Sequence, residues 1–191
     1  MQGLSSLLSE LTSGDDQQAE NAVPGLIQLG EPALHALLNL VDHEDSDHRW
    51  WAVRTISGFD HPSAGDALCQ SLSDPDPGVR YCAAVGLRLI PTPDAIAPLI
   101  EALESDDRLF ARLAGDALAA LGTPAIPALS KSLQSANPAV RGDAARTLAL
   151  MEVPETISLL FAAAEDPSTM VQHWIEEGIN RLGVGMIFFD P

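Results

Sequence analysis

DPDPGVRYCAAVGLRLIPTPDAIAPLIEAL, residues 74–103, holds a complete helix–turn–helix unit. Asp76 is a favoured N-cap, and Pro77 behind it sits where proline suits the first helical turn. Ala83, Leu87 and Ile90 then recur at helical spacing, so a helix of about four turns buries one face. Pro93 opens a second amphipathic stretch, PDAIAPLIEAL.

The same signals return along the chain. Prolines stand at 32, 62, 93, 124 and 154, each heading a short amphipathic segment, at intervals of 30 or 31 residues. Seventeen residues before each expected unit boundary stand Asp15, Asp45, Asp76, Asp107, Asn137 and Ser168, all N-cap types. Gly30, Gly122 and Gly183 suit the C-caps. Three rows then repeat on the inner face of the second helix of each unit. One is Ala22, Ala52, Ala83, Ala114, Ala144 and Ile175; a second is Leu26, Ile56, Leu87, Leu118, Leu148 and Ile179; a third is Leu29, Phe59, Ile90, Leu121, Met151 and Leu182. Small residues from Gly25 to Gly178 lie between them, permitting close helix approach. The prediction is an all-α, right-handed α-solenoid of six helix-turn-helix repeats of about 31 residues. The repeats run 1–31, 32–61, 62–92, 93–123, 124–153 and 154–184, with an apolar tail at 185–191 expected to cap the last unit.

Composition narrows the function. The 191 residues carry 27 acidic and 10 basic side chains, a net charge of −17, with Lys131 as the single lysine. Such a surface repels phosphate, so neither nucleic acid nor an anionic membrane is an expected partner. No run approaches the roughly 18 apolar residues of a membrane span. MQGLSSLLSE lacks a basic start and a signal-type apolar core, so a cytoplasmic location is expected. Cys69 and Cys82 are too few for a disulfide framework or a metal knuckle, and read as buried thiols.

Residues 74–103, and SANPAVRGDAARTLALMEVPETISLL at 135–160, resemble the phycobilisome-lyase-type HEAT-like repeat. That repeat combines an acidic turn, a Val-Arg pair, an Ala-Ala pair and a closing Leu with Gly or Pro. The resemblance implies the solenoid fold, with the second helices lining a concave groove. It also implies an Asp–Arg ladder joining units, so Arg49, Arg80 and Arg141 are assigned to structure. Function is open, because such repeats serve in bilin-lyase subunits, hydroxylases and many scaffolds.

The adjacent tryptophans test this frame. Neighbouring helical residues lie about 100° apart, so Trp50 and Trp51 face different surroundings. Trp51 falls at the edge of the buried stripe, and Trp50 falls in the outward row with Glu20, Tyr81, Arg112, Gly142 and His173. The candidate partner-binding residues are therefore Trp50, Arg54, Tyr81, Arg88, Arg112, Asp116 and Arg146. Trp, Tyr and Arg are enriched in binding hot spots, and Arg recognises carboxylates bidentately.

The expected function is a non-enzymatic scaffold or adaptor that grips an acidic or carboxylate-bearing protein partner in its groove. The alternative is a phycobilin-lyase subunit or bilin-binding chaperone, with Arg meeting propionates and Trp or Tyr facing the tetrapyrrole. Solvated or internally paired arginines are the plainer account of the same residues. DHEDSDH, residues 42–48, tempts a metal assignment but holds a single His-Glu pair, so no metal and no cofactor are expected. A DNA-glycosylase role conflicts with the acidic charge, and no catalytic motif is present.

Overall fold

A computed structural model describes residues 3–184; the tail at 185–191, assigned above as a cap, lies outside them. Among the described residues the secondary structure is helical, with no strand. The fold is an all-α solenoid.

The chain divides at Ile90 and Pro91 into two compact units. The first contains α1 (Leu4–Leu11), α2 (Asp16–Leu29), α3 (Glu31–Leu40), α4 (Ser46–Ile56), α5 (Pro62–Ser71) and α6 (Pro77–Leu89). The second contains α7 (Ile96–Leu103), α8 (Arg108–Leu121), α9 (Ile126–Ser132), α10 (Pro138–Met151), α11 (Ile157–Ala162) and α12 (Thr169–Arg181). In each unit the even-numbered helix packs on its odd-numbered partner and on the even helix before it, as α4 does on α2 and α10 on α8.

The predicted caps start every second helix. Asp15, Asp45, Asp76, Asp107 and Asn137 accept backbone N–H bonds from the first helical turn. Ser168 caps α12 by position without a side-chain bond. At the other end, Gly30 and Gly122 take φ of 70°, a left-handed value that glycine adopts without a Cβ penalty. Thirty residues after Gly122, Glu152 occupies the same register position at φ 51° and accepts an ion pair from Arg181.

The first helices differ between the units. Pro32 and Pro62 open α3 and α5 directly, whereas Pro93, Pro124 and Pro154 lie in single 3₁₀ turns ahead of α7, α9 and α11. Those turns close through i→i−3 bonds such as Ala95 N–H to Thr92 C=O at 2.9 Å.

The core follows two of the three predicted rows. Ala22, Ala52, Ala83, Ala114, Ala144 and Ile175 are buried, as are Leu26, Ile56, Leu87, Leu118 and Leu148, while Ile179 at the end of the second row is half-buried. In the third row Phe59 is buried, but Leu29, Ile90, Leu121, Met151 and Leu182 are only half-buried. That row falls at the last turn or just beyond it, where the chain leaves the stack. Between the rows a Cβ at Gly86 would lie 2.9 Å from Leu68 Cδ2 and 3.1 Å from Ser57 Cβ, so the small side chain sets the closeness of α6 to its neighbours.

Leu87 is 1 % exposed at the centre of the first unit's core. Leu87→Ala is expected to destabilise the protein by about 2–5 kcal/mol, read from the midpoint of urea unfolding. A loss below about 0.5 kcal/mol would place Leu87 outside the core.

Candidate functional site

The arginines assigned to structure form a repeated anchor. Arg49 on α4 donates through Nε and Nη2 to both carboxylate oxygens of Asp74, at 2.7 and 2.8 Å. Its Nη1 donates to the carbonyls of His43 and Glu44. Arg141 on α10 repeats the pattern with Asp166 and the carbonyls of Ser135 and Ala136. Arg80 donates to the carbonyls of Asp74 and Pro75, so all three arginines reach back six and five residues. Burial pushes the Asp74 carboxyl upward, but bonds from Arg49 and the Asp76 N–H outweigh it and hold the group below the usual carboxylate range. The Arg141 bond does the same to Asp166.

With those arginines engaged, the outward face of the second helices carries the candidate site. In the first unit Trp51 is buried at 5 % exposure, and Trp50 is half-buried. Trp50 does not point straight to solvent: it meets Trp51 edge-on at 4.8 Å, and its Cδ1 lies 3.7 Å from where a Gly78 Cβ would be. The start of α6 thus lies within van der Waals reach of the indole. One turn on, Arg54 donates to Glu20 of α2 at 3.1 Å. On α6, Tyr81 is half-buried, Val85 and Leu89 are 43 % and 63 % exposed, and Arg88 is exposed. Tyr81, Val85 and Leu89 recur every four residues and form one apolar strip.

The second unit is more polar. Arg112 is exposed on α8. Arg146 of α10 donates to Asp116 of α8 at 2.7 Å, and its guanidinium carbon lies 5.8 Å from the Trp174 ring centre on α12. His173 in turn packs edge-on against Trp174. Arg108 is paired with Asp143.

The structure thus leaves Arg88 and Arg112 open on the candidate face, and ties Arg54 and Arg146 to internal carboxylates. Those pairs span 34 and 30 residues, and no local pattern announces them. Glu20, already placed in the outward row, and Val85, Leu89 and Trp174 lie beside the seven candidates without being among them. The spacing of Tyr81, Val85 and Leu89 is the signal that finds two of them.

The tempting 42–48 segment is a turn over 42–45 that runs into the first residues of α4. His43 Nδ1 accepts the Asp45 N–H at 3.1 Å, and the His43 and His48 rings are 4.4 Å apart. Among the described residues, no three His, Cys, Asp or Glu side chains converge as a metal set. Cys69 and Cys82 are not joined in a disulfide and are half-buried rather than fully buried. Burial pushes the Cys82 thiol up to about 12, against the pull of the Arg54 charge, so it is a poor nucleophile.

The pattern of HEAT repeats matches overlapping windows at residues 4–72, 34–119, 65–136 and 98–180. The chain belongs to the HEAT repeat family. Over part of its length the chain is also similar to two curated proteins. The phycobilisome maturation protein of Synechococcus elongatus is 39 % identical over 82 residues, covering 42 % of this chain and 40 % of that protein. The bilin biosynthesis protein RpcF of Synechococcus sp. (strain WH8020) is 35 % identical over 82 residues, covering 42 % and 39 %. The chain thus spans about two fifths of the length of the curated relatives it matches. The complex of CpcE and CpcF of phycocyanin lyase from Nostoc sp. PCC7120 superposes with a TM-score of 0.61 at 24 % identity, over 75 % of this chain and 96 % of that one. A designed armadillo repeat protein in complex with the peptide (KR)4 gives 0.55 at 18 % identity, over 95 % and 100 %. These two structures share the fold. No helix among the described residues is long and apolar enough to cross a membrane.

The depressed carboxylates set an acid limit. A carboxyl whose folded pKa is lowered stabilises the fold fully above its unfolded value, about 4, and loses that contribution as pH falls through the folded one. Asp74→Asn should therefore lower the melting temperature at pH 7, with the gap to wild type closing below about pH 4. A gap of constant size down to pH 2 would show that the Asp74 charge contributes nothing.

Proposed function

We propose that this chain is a solenoid subunit of a phycobilin-lyase-type assembly, holding a linear tetrapyrrole or its protein acceptor. The observation that carries the reading is the 39 % identity, over 82 residues, to a phycobilisome maturation protein. The similarity to a bilin biosynthesis protein supports it.

The chemistry of the first unit suits such a ligand. A linear tetrapyrrole has a long, mostly apolar conjugated body and two propionate carboxylates. Trp50, Tyr81, Val85 and Leu89 offer apolar and aromatic surface to the body, and Arg88 and Arg54 offer charge-assisted bonds to the carboxylates. Cys82, its thiol pushed up by burial, is a poor site for a thioether to the ligand. A protein partner fits the same assembly. The exposed Arg112, on the candidate face of the second unit, is the position we assign to an acidic segment of that partner. Asp116 and Arg146 serve there as a fixed pair rather than as free contacts.

Biliverdin is the direct probe. Titration with the protein is expected to shift and intensify its long-wavelength absorbance, saturating near about one bilin per chain. Arg88→Glu should reduce that affinity at least about tenfold, by placing like charge against the propionate, with helical circular dichroism unchanged. A bilin spectrum indifferent to wild-type protein would sink this reading.

A further inference from the structure

Glu20 occupies on α2 the register position that Trp50 holds on α4 and Tyr81 on α6, so a carboxylate heads a row of aromatics. It meets Arg54 through one hydrogen bond of 3.1 Å, with side chains 52 % and 39 % exposed. The corresponding pair in the second unit differs in kind. Arg146 and Asp116 are 2.7 Å apart with side chains 13 % and 25 % exposed, and the guanidinium also rests near the Trp174 ring. A pair in water with a single bond exchanges readily, whereas a half-buried pair pinned by a ring does not.

The surroundings of Arg54 show what it would exchange for. Trp50 lies one turn back on its own helix, and α6 alongside presents Tyr81, Val85, Leu89 and Arg88. An apolar body laid on that strip brings an attached carboxylate to Arg88 or Arg54, in a chain whose net charge of −17 repels it elsewhere. Arg88 is open to it. Arg54 is reached only by displacing Glu20.

We infer that Glu20 is a built-in competitor for the carboxylate of an apolar, carboxylate-bearing ligand on the first unit's face. It holds Arg54 in place while the face is empty and yields it when the ligand's carboxylate arrives. A neutral ligand gains nothing from the exchange. A carboxylate ligand engages Arg54 beside the open Arg88 only by displacing Glu20, so Glu20 weakens the binding of carboxylates on this face and leaves that of neutral ligands unchanged. The nature of the ligand as a bilin rests on the function proposed above; the exchange does not.

Two probes separate these points. Biliverdin carries two carboxylates, and 1-pyrenebutyrate is a flat apolar carboxylate unrelated to bilins. Each is titrated by absorbance or fluorescence into wild type, Glu20→Gln, Glu31→Gln and the Glu20→Gln/Arg54→Gln double variant. Glu31 lies on α3, in a groove with His35 and His61, and controls for the loss of one negative charge. Glu20→Gln is expected to tighten 1-pyrenebutyrate binding about two- to fivefold, the scale of an exposed ion pair. Glu31→Gln should leave it unchanged, and the double variant should lose the gain. Equal effects of the two single variants, weaker binding by Glu20→Gln, or no binding of either probe would overturn the competitor role. A response to 1-pyrenebutyrate with no binding of biliverdin would uphold that role and discard the bilin reading.

Discussion

The architecture depends on a guanidinium that finishes a turn the backbone cannot finish alone. In four of the six second helices a polar side chain one turn into the helix reaches back six residues to a carbonyl of the preceding loop. Arg49, Arg80 and Arg141 do so by the same route, and in the last repeat Gln172 bonds the carbonyl of Asp166 in their place at 2.8 Å. Arg49 and Arg141 also grip an aspartate 25 residues on. That aspartate, Asp74 or Asp166, accepts the N–H two residues ahead at 2.8 Å, shaping its own loop. One ion pair therefore fixes two consecutive loops. In the second unit Ala111 takes the arginine position and is fully buried, replacing the polar anchor with packing.

This arrangement decides which charges are available for function. An arginine held by four acceptors is consumed by the fold. Arg54 and Arg146 form an intermediate class, each bound to one carboxylate of a neighbouring helix, and the surroundings set how firmly. Arg146 has a ring beside it and little water; Arg54 has an exposed carboxylate and open solvent. Screening by salt acts on the second far more than on the first. Of the candidate face, the part in the first unit is the adaptable one.

The sequence made the scaffold legible because its signals are local. A cap residue, a proline in the first turn and apolar residues at helical spacing all lie within one helix, and the helices begin where Asp15, Asp45, Asp76, Asp107, Asn137 and Ser168 predict. The row from Leu29 to Leu182 reads as core by spacing yet is mostly half-buried, because spacing does not show where the chain peels away. The candidate face was legible as a list of positions and illegible as chemistry. Whether Arg54 is free depends on Glu20, 34 residues earlier, and how far Trp50 is covered depends on the start of α6 lying beside it. Such facts belong to tertiary packing, and no periodicity encodes them.

The contrast between rows shows why fold and function separate in this chain. At the position of Ala22, Ala52, Ala83, Ala114 and Ala144, packing against the adjacent helix keeps the residue small and apolar, Ile175 fills the same position in the last repeat, and all six are buried. At the outward position the six residues are Glu20, Trp50, Tyr81, Arg112, Gly142 and His173, an acid, two aromatics, a cation, a glycine and a histidine. A helix accommodates any of them there, since none is called on to complete the core. The stack therefore presents a fixed lattice of positions whose chemistry is unconstrained by stability. Trp50, Tyr81, Val85 and Leu89 lie on α4 and α6, Leu109 and Met170 are exposed on α8 and α12, and internally locked charge lies on α8 and α10. Binding specificity follows from that distribution rather than from the repeat, and so a shared fold alone cannot supply it.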